Sequence, residues 1–196
     1  MEFSRDIKFG FKGGRDYIHG PDMYAAVRDR LFDKPPERII NLTMHRLLRG
    51  DARVVELAPG HEDVVAEVMV DMGGEEHRLG FQPAGEASIA VRAYAEDEIA
   101  NRGELVSGGG RLDVPTGFDS IEEAVALIKS WSNRFQPVSG RWVVARIDAI
   151  GGSSPLPRTR DGDLEIRHAG GIAKKLNRFE VTCDGAEAMV FFGARG

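Results

Sequence analysis

Two segments far apart in the chain share one pattern, and that sharing limits the folds the sequence can support. EVMVDMGGEEHRLGF runs from Glu67 to Phe81, and EVTCDGAEAMVFFG runs from Glu180 to Gly193. Each opens on Glu-Val, reaches a glycine-containing turn and resumes as a second strand-like run. Asp71-Met72-Gly73-Gly74 and Asp184-Gly185 supply the turns, because such pairs tolerate the positive φ angles of tight hairpins.

The likeness extends upstream. In the first half Pro21 begins a helical pattern, with Met23, Ala26, Val27, Arg30 and Leu31 on one stripe and only Arg30 polar. Pro35-Pro36 should stop it. A strand candidate follows from Arg38 to Leu48. In the second half Ser120 and Glu123 form a capping-box pattern. Ala124, Val125, Ile128, Trp131 and Phe135 then line a helical face that Pro137 ends. Another strand candidate follows from Arg141 to Ile150. Further strands are expected from Ala87 to Tyr94 and from Asp163 to His168. The order of elements, not one hairpin alone, favours a duplication with halves at 1–102 and 103–196.

A helix followed by long antiparallel strands implies a sheet wrapped on one helix, with one face buried and the other wet. The expectation is an α+β chain of two pseudo-repeats, each with one long helix packed on a curved antiparallel β-sheet. A cone-shaped α+β roll and a lipocalin-like barrel with an extra helix are the other candidates, and the barrel accounts poorly for the second helix.

Composition narrows the function. A net charge of −5 argues against broad binding to nucleic acid or an anionic membrane. No run of about 18 or more apolar residues is present, so no transmembrane helix is expected. The charged N-terminus does not read as a secretory signal. The single cysteine, Cys183, excludes an internal disulfide and fits a reducing, cytoplasmic setting. Its place in the run FEVTC reads as a buried small apolar residue rather than a nucleophile. His45, His61, His77 and His168 are widely separated and give no metal pattern, and no cofactor is expected.

The doubled helix-then-strands order, together with HGPD placed just before the first helix, resembles the hotdog-fold superfamily and in particular its fused double-hotdog members. Many hotdog dehydratases carry a His-containing, Gly/Pro-rich loop before a helix that bears an acidic residue. His19-Gly20-Pro21 matches the first part, whereas the helical positions Ala25, Ala26 and Val27 hold no acid. Some hotdog thioesterases place an Asp in the loop leading to the helix, and Asp22 has that placement. The resemblance implies an acyl thioester of coenzyme A or a carrier protein as substrate, a thioesterase or dehydratase-like reaction, and a site between the repeats. Exposed sheet edges are compatible with homo-oligomers.

The stretch YIHGPDMY, Tyr17 to Tyr24, admits two readings. It is a good helix start, with Gly20 free to turn, Pro21 suited to the first turn and Asp22 favourable to the helix dipole. The same atoms suit catalysis. His19 can move protons near neutral pH, Asp22 can activate water or orient the imidazole, and the backbone N–H groups around Met23 can polarise a carbonyl; Gly20 counts with Met23 among the substrate-binding residues. Tyr17 or Tyr24 could add a hydroxyl. Glu123, with Asp119 and Glu122, becomes a partner for His19 if the two helices meet, and otherwise serves as capping. Binding of an acyl or small apolar ligand without turnover, or a structural place in a biosynthetic assembly, is the competing class. Ser107-Gly108-Gly109-Gly110 lacks the spacing of a phosphate-binding loop and reads as a linker or bulge. Arg158, Arg160 and Arg167 read as solvated charge or as contacts to a phosphorylated carrier.

Overall fold

Gly73 and Gly74 adopt φ angles of +70° and +87°, and Asp184 and Gly185 adopt +48° and +79°. Both expected hairpins therefore close through left-handed turn residues. The computed structural model describes residues 3–58, 63–87 and 89–196; His61 lies outside them. The chain divides into two compact units, Met1–Tyr94 and Ala95–Gly196.

The first unit contains β1 (Ser4–Ile7), β2 (Gly10–Lys12), α1 (Gly20–Asp29), β3 (Arg38–Met44), β4 (Ala52–Glu56), β5 (Ala66–Met72), β6 (Glu75–Pro83) and β7 (Ile89–Arg92). Five strands form antiparallel ladders in the order β1-β4-β6-β5-β3. β2 and β7 pair separately and in parallel, Gly10 opposite Ile89 and Lys12 opposite Arg92. Gly10 is needed there, since a Cβ would meet the Ala90 carbonyl oxygen at 2.9 Å. Of the stripe expected on α1, Met23, Ala26, Val27 and Leu31 are at most 2% exposed, whereas Arg30 is exposed, and Arg30 and Leu31 lie past the last helical residue, Asp29.

The second unit contains α2 (Glu96–Arg102), β8 (Glu104–Val106), β9 (Gly109–Leu112), α3 (Ser120–Phe135), β10 (Arg141–Ala149), β11 (Leu164–Ile172), β12 (Leu176–Cys183) and β13 (Ala186–Arg195). Its ladders run β10-β13-β12-β11-β9-β8. The apolar face of α3 lies over these strands, with Ala124, Val125, Ile128 and Trp131 buried. Trp131 meets Phe179 edge-on at 5.1 Å and stacks on His168 at 4.5 Å. The unit boundary precedes α2, whereas the sequence division fell after Arg102. Lys129 on α3 reaches Glu96 at 2.9 Å and so ties α2 to the second unit.

The expectation of a double hotdog with two equivalent pseudo-repeats, each with one long helix, is overturned. Eleven strands belong to antiparallel sheet and two to the small parallel pair. Among the described residues there are three helices, of 10, 7 and 16 residues. Pro21 and Pro35 leave α1 too little chain for a long helix. The matched hairpins also occupy crossed positions. β5, the first strand of its hairpin, lies beside β3. In the other hairpin it is the second strand, β13, that lies beside β10. Shared turn chemistry produced the likeness of these segments, and it does not specify the same connectivity.

Phe179 is fully buried within the Trp131–His168 cluster. Truncating it removes the ring and leaves a cavity, so Phe179→Ala should lower stability by about 3–5 kcal/mol, measured as a fall in the urea unfolding midpoint.

Candidate functional site

His19 occupies the N-cap of α1 with extended backbone, φ −71° and ψ 138°. The proline two residues on favours that entry, because it fixes its own φ and restricts Gly20 before it. The neighbouring Ile18 amide donates to the Leu48 carbonyl at 2.7 Å and pins the loop from behind. The His19 side chain makes no capping bond. It is buried instead, its ring edge-on to Tyr94 at 5.4 Å. Tyr94 also carries the Arg15 guanidinium over its face at 4.8 Å.

Asp22 sits in the first turn of α1, directed at β2. Its Oδ1 accepts from the Lys12 ammonium at 2.7 Å, with side chains 16% and 9% exposed. Its Oδ2 is buried and has no hydrogen-bond partner among the described residues. Burial pushes the Asp22 carboxyl above its ordinary range, opposed chiefly by Lys12 and then by Arg92 and Arg30. The result is a desolvated carboxyl group three residues along the helix from His19, with one oxygen held by Lys12 and the other without a hydrogen-bond partner among the described residues. That arrangement can accept a proton from a bound donor.

The other residues singled out in YIHGPDMY fall in the same unit. Tyr17 and Tyr24 are buried, at 6% and 2% exposure, and so are Gly20, Pro21 and Met23. The expected donor around Met23 is already engaged. The Asp22 and Met23 amides both donate to the His19 carbonyl, at 2.9 and 3.4 Å. Pro21 has no N–H, which leaves the Gly20 amide as the first-turn donor that the helix itself does not engage.

Glu123 belongs to the second unit and is fully buried. Its Oε1 accepts from the Thr116 amide at 2.6 Å and the Thr116 hydroxyl at 2.5 Å. Its Oε2 accepts from Arg160 Nε at 2.5 Å. The expected capping box is therefore not formed. Asp119 is the N-cap and accepts from the Ile121 amide at 3.2 Å, while the Ser120 hydroxyl donates to the Pro157 carbonyl. A charge-assisted bond to Arg160 outcompetes a return to the cap. Arg160, expected in solvent, is 4% exposed. Asp184 accepts from the Asp161 and Gly162 amides at 2.9 and 2.8 Å and closes the same loop against the β12–β13 turn.

Lys12 and Tyr94 are the polar side chains that sequence reasoning missed. The signal for Lys12 was a lone lysine in the strand-like GFKGG; Tyr94 closed a strand candidate and carried no motif. Gly108, Gly109 and Gly110 line part of an open groove of about 370 Å³ in the second unit. The arginines beside that groove are engaged, Arg111 with Asp163 at 2.7 Å and Arg167 with Glu180. His45 and His77 lie near Glu67 and Glu56, at 3.5 and 3.3 Å. No group of three or more metal-ligating side chains occurs among the described residues. No helix among them is long and apolar enough to cross a membrane.

No family model and no curated protein matches the chain. Solved structures do. The chain is similar to the pyran synthase domain from module nine of the sorangicin pathway, at 14% identity over 99% of this chain and 93% of that one, with a TM-score of 0.48. It is similar to the dehydratase domain of RzxB from Pseudomonas fluorescens, at 11% identity over 96% and 93%, with a TM-score of 0.48. It is also similar to a conserved hot dog fold protein of unknown function from Alicyclobacillus acidocaldarius, at 8% identity over 100% and 93%, with a TM-score of 0.44. The printed description of the last of these names the hot dog fold.

Two outcomes follow for the second unit. Removing the charge in Glu123→Gln leaves Arg160 buried without its counter-ion, which should cost about 3–5 kcal/mol, read by urea unfolding. Cys183 is fully buried and its thiol is pushed up to about 11, first by burial. It should stay unreactive toward a thiol-specific disulfide reagent at pH 8 in the folded protein and react at once in denaturant.

Proposed function

We propose that the protein processes an acyl thioester, by hydrolysis or by a dehydratase-like elimination, with His19 and Asp22 as its acid/base pair. The observation that carries this reading is the second carboxylate oxygen of Asp22, buried without a hydrogen-bond partner among the described residues, one helical turn from His19. A fold gains nothing from leaving a desolvated acceptor unsatisfied. A substrate or water proton satisfies it.

In the hydrolytic form a water gives its proton to Asp22 Oδ2 while its oxygen bonds to the thioester carbonyl carbon. The C–S bond then breaks, and the leaving thiolate takes a proton from His19. In the eliminating form one member of the pair removes the proton alpha to the thioester carbonyl. The other protonates the departing β-hydroxyl, which leaves as water. The Gly20 amide polarises the carbonyl, and Tyr17, Met23 and Tyr24 supply the wall for the acyl chain. Raised proton affinity in Asp22 serves the base role, since a carboxylate that holds a proton more tightly also abstracts one more readily. Glu123 has no part in this scheme because its oxygens are already occupied.

The test is a panel of coenzyme A and pantetheine thioesters of graded acyl length, with and without a β-hydroxyl, followed by thiol release and by alkene formation. Turnover in at least one arm should fall by about 10²-fold or more in both His19→Ala and Asp22→Asn, with circular dichroism unchanged. Saturable binding without turnover in any arm would assign the groups to ligand binding instead. Undiminished rates in both variants would remove them from the chemistry.

A further inference from the structure

The Lys12–Asp22 ion pair has a feature that simple cohesion does not explain. Lys12 sits on a three-residue strand outside the antiparallel ladders, yet its ammonium is nearly as buried as the core around it. Ion pairs taken out of water are commonly replaced by apolar residues at no loss of stability. Retaining one here makes sense if the charge matters to its partner.

We infer that Lys12 is a positioning residue, whose ammonium keeps Asp22 ionised in a dry setting and turns the carboxylate so that Oδ1 is held and Oδ2 is left for the reacting proton. This inference rests on the acid/base role proposed above for Asp22. The groups around that carboxylate rank in an order that supports it. Lys12 on β2 is in contact at 2.7 Å. Arg92 on β7 and Arg30 just beyond α1 act on Asp22 through space only. Arg30 is turned toward the Lys8 carbonyl, to which its Nη1 donates at 3.1 Å, and toward the Phe9 ring. The Arg15 guanidinium lies over the Tyr94 ring, and His19 faces Tyr94 from the N-cap. β2 is itself held in place by three backbone-directed bonds around it. The Phe9 amide donates to Asp51 Oδ1 at 2.8 Å, the Ile89 amide donates to the Phe9 carbonyl at 3.2 Å, and the Gly13 amide donates to the Arg92 carbonyl at 2.9 Å. A short strand anchored on both sides fixes where the ammonium stands.

The sign of the pH effect follows from the chemistry. Without the ammonium, burial acts on Asp22 with less opposition and its pKa rises further. A base must be ionised to work, so the acid limb of the rate profile moves to higher pH. Stability is linked in the same sense: the folded state binds the Asp22 proton more tightly than the unfolded chain, so the fold loses stability as pH rises through that range, and loss of Lys12 extends the decline upward.

The experiment follows the side-chain carboxyl of Asp22 by carbon NMR in the full chain, with Asp22→Asn assigning the resonance. Wild type is compared with Lys12→Met, Lys12→Gln and Lys12→Arg. The titration midpoint should rise by about one pH unit or more in the two neutral variants and return toward wild type in Lys12→Arg. An unchanged midpoint in a folded neutral variant overturns the inference. So does a failure of both neutral variants to fold, which would make the pair a matter of cohesion alone. On any thioester that the wild type turns over, the acid limb should move upward in Lys12→Met, whereas a merely structural lesion would lower the rate equally at every pH. If no thioester is turned over, the proposed reaction falls while the titration still decides the part played by Lys12.

Discussion

Neither Lys12 nor Asp22 could be withdrawn from water in charged form without the other, and the first unit is arranged around that constraint. An isolated ammonium or carboxylate in an apolar setting is prohibitively costly. The pair at 2.7 Å therefore requires β2 and the first turn of α1 to meet. Once they meet, His19 at the N-cap is carried to Tyr94, and the Gly20 amide is left at the mouth of the helix. A stretch that is only a good helix start when read along the chain becomes a concentration of polar atoms in a dry place.

The second unit solves a similar problem to a different end. Glu123 and Arg160 are more deeply buried than Lys12 and Asp22, but both carboxylate oxygens of Glu123 receive donors. The pair clamps the loop around Arg160 to the start of α3 and leaves no oxygen over for a substrate. Satisfaction of hydrogen bonds, rather than burial or charge, separates the two sites. Asp22 has an acceptor to offer and Glu123 has none.

Particular elements show how far the sequence could be read. α3 was legible over its whole length, because a strong apolar face and Pro137 bound it on both counts. The α1 stripe and its end before Pro35 were legible for the same reason. β10 was expected to within a residue, and both hairpin turns were found through their Asp-Gly and Gly-Gly chemistry. α2 was missed, since its one buried side chain, Ile99, leaves almost no periodicity to detect. β2 and β8 were too short to show alternation. The supposed equivalence of the halves failed for a different reason. Turn residues dictate that a hairpin forms, and they carry no information on which of its strands lies beside a strand distant in sequence.

The chain alone determined local matters: where helices begin and stop, which residues close hairpins, that His19 and Asp22 stand at a helix start, and that Cys183 lies in a strand as a buried apolar residue. These follow from backbone sterics and from periodicities only a few residues long. The tertiary structure decided the rest. It chose Lys12 over the nearby arginines as the contact of Asp22, spent Glu123 on Arg160, brought Tyr94 to His19 and crossed the order of the two hairpins. Each of these depends on desolvation and hydrogen-bond satisfaction between residues remote in sequence, and such pairings arise only when the chain is closed in three dimensions.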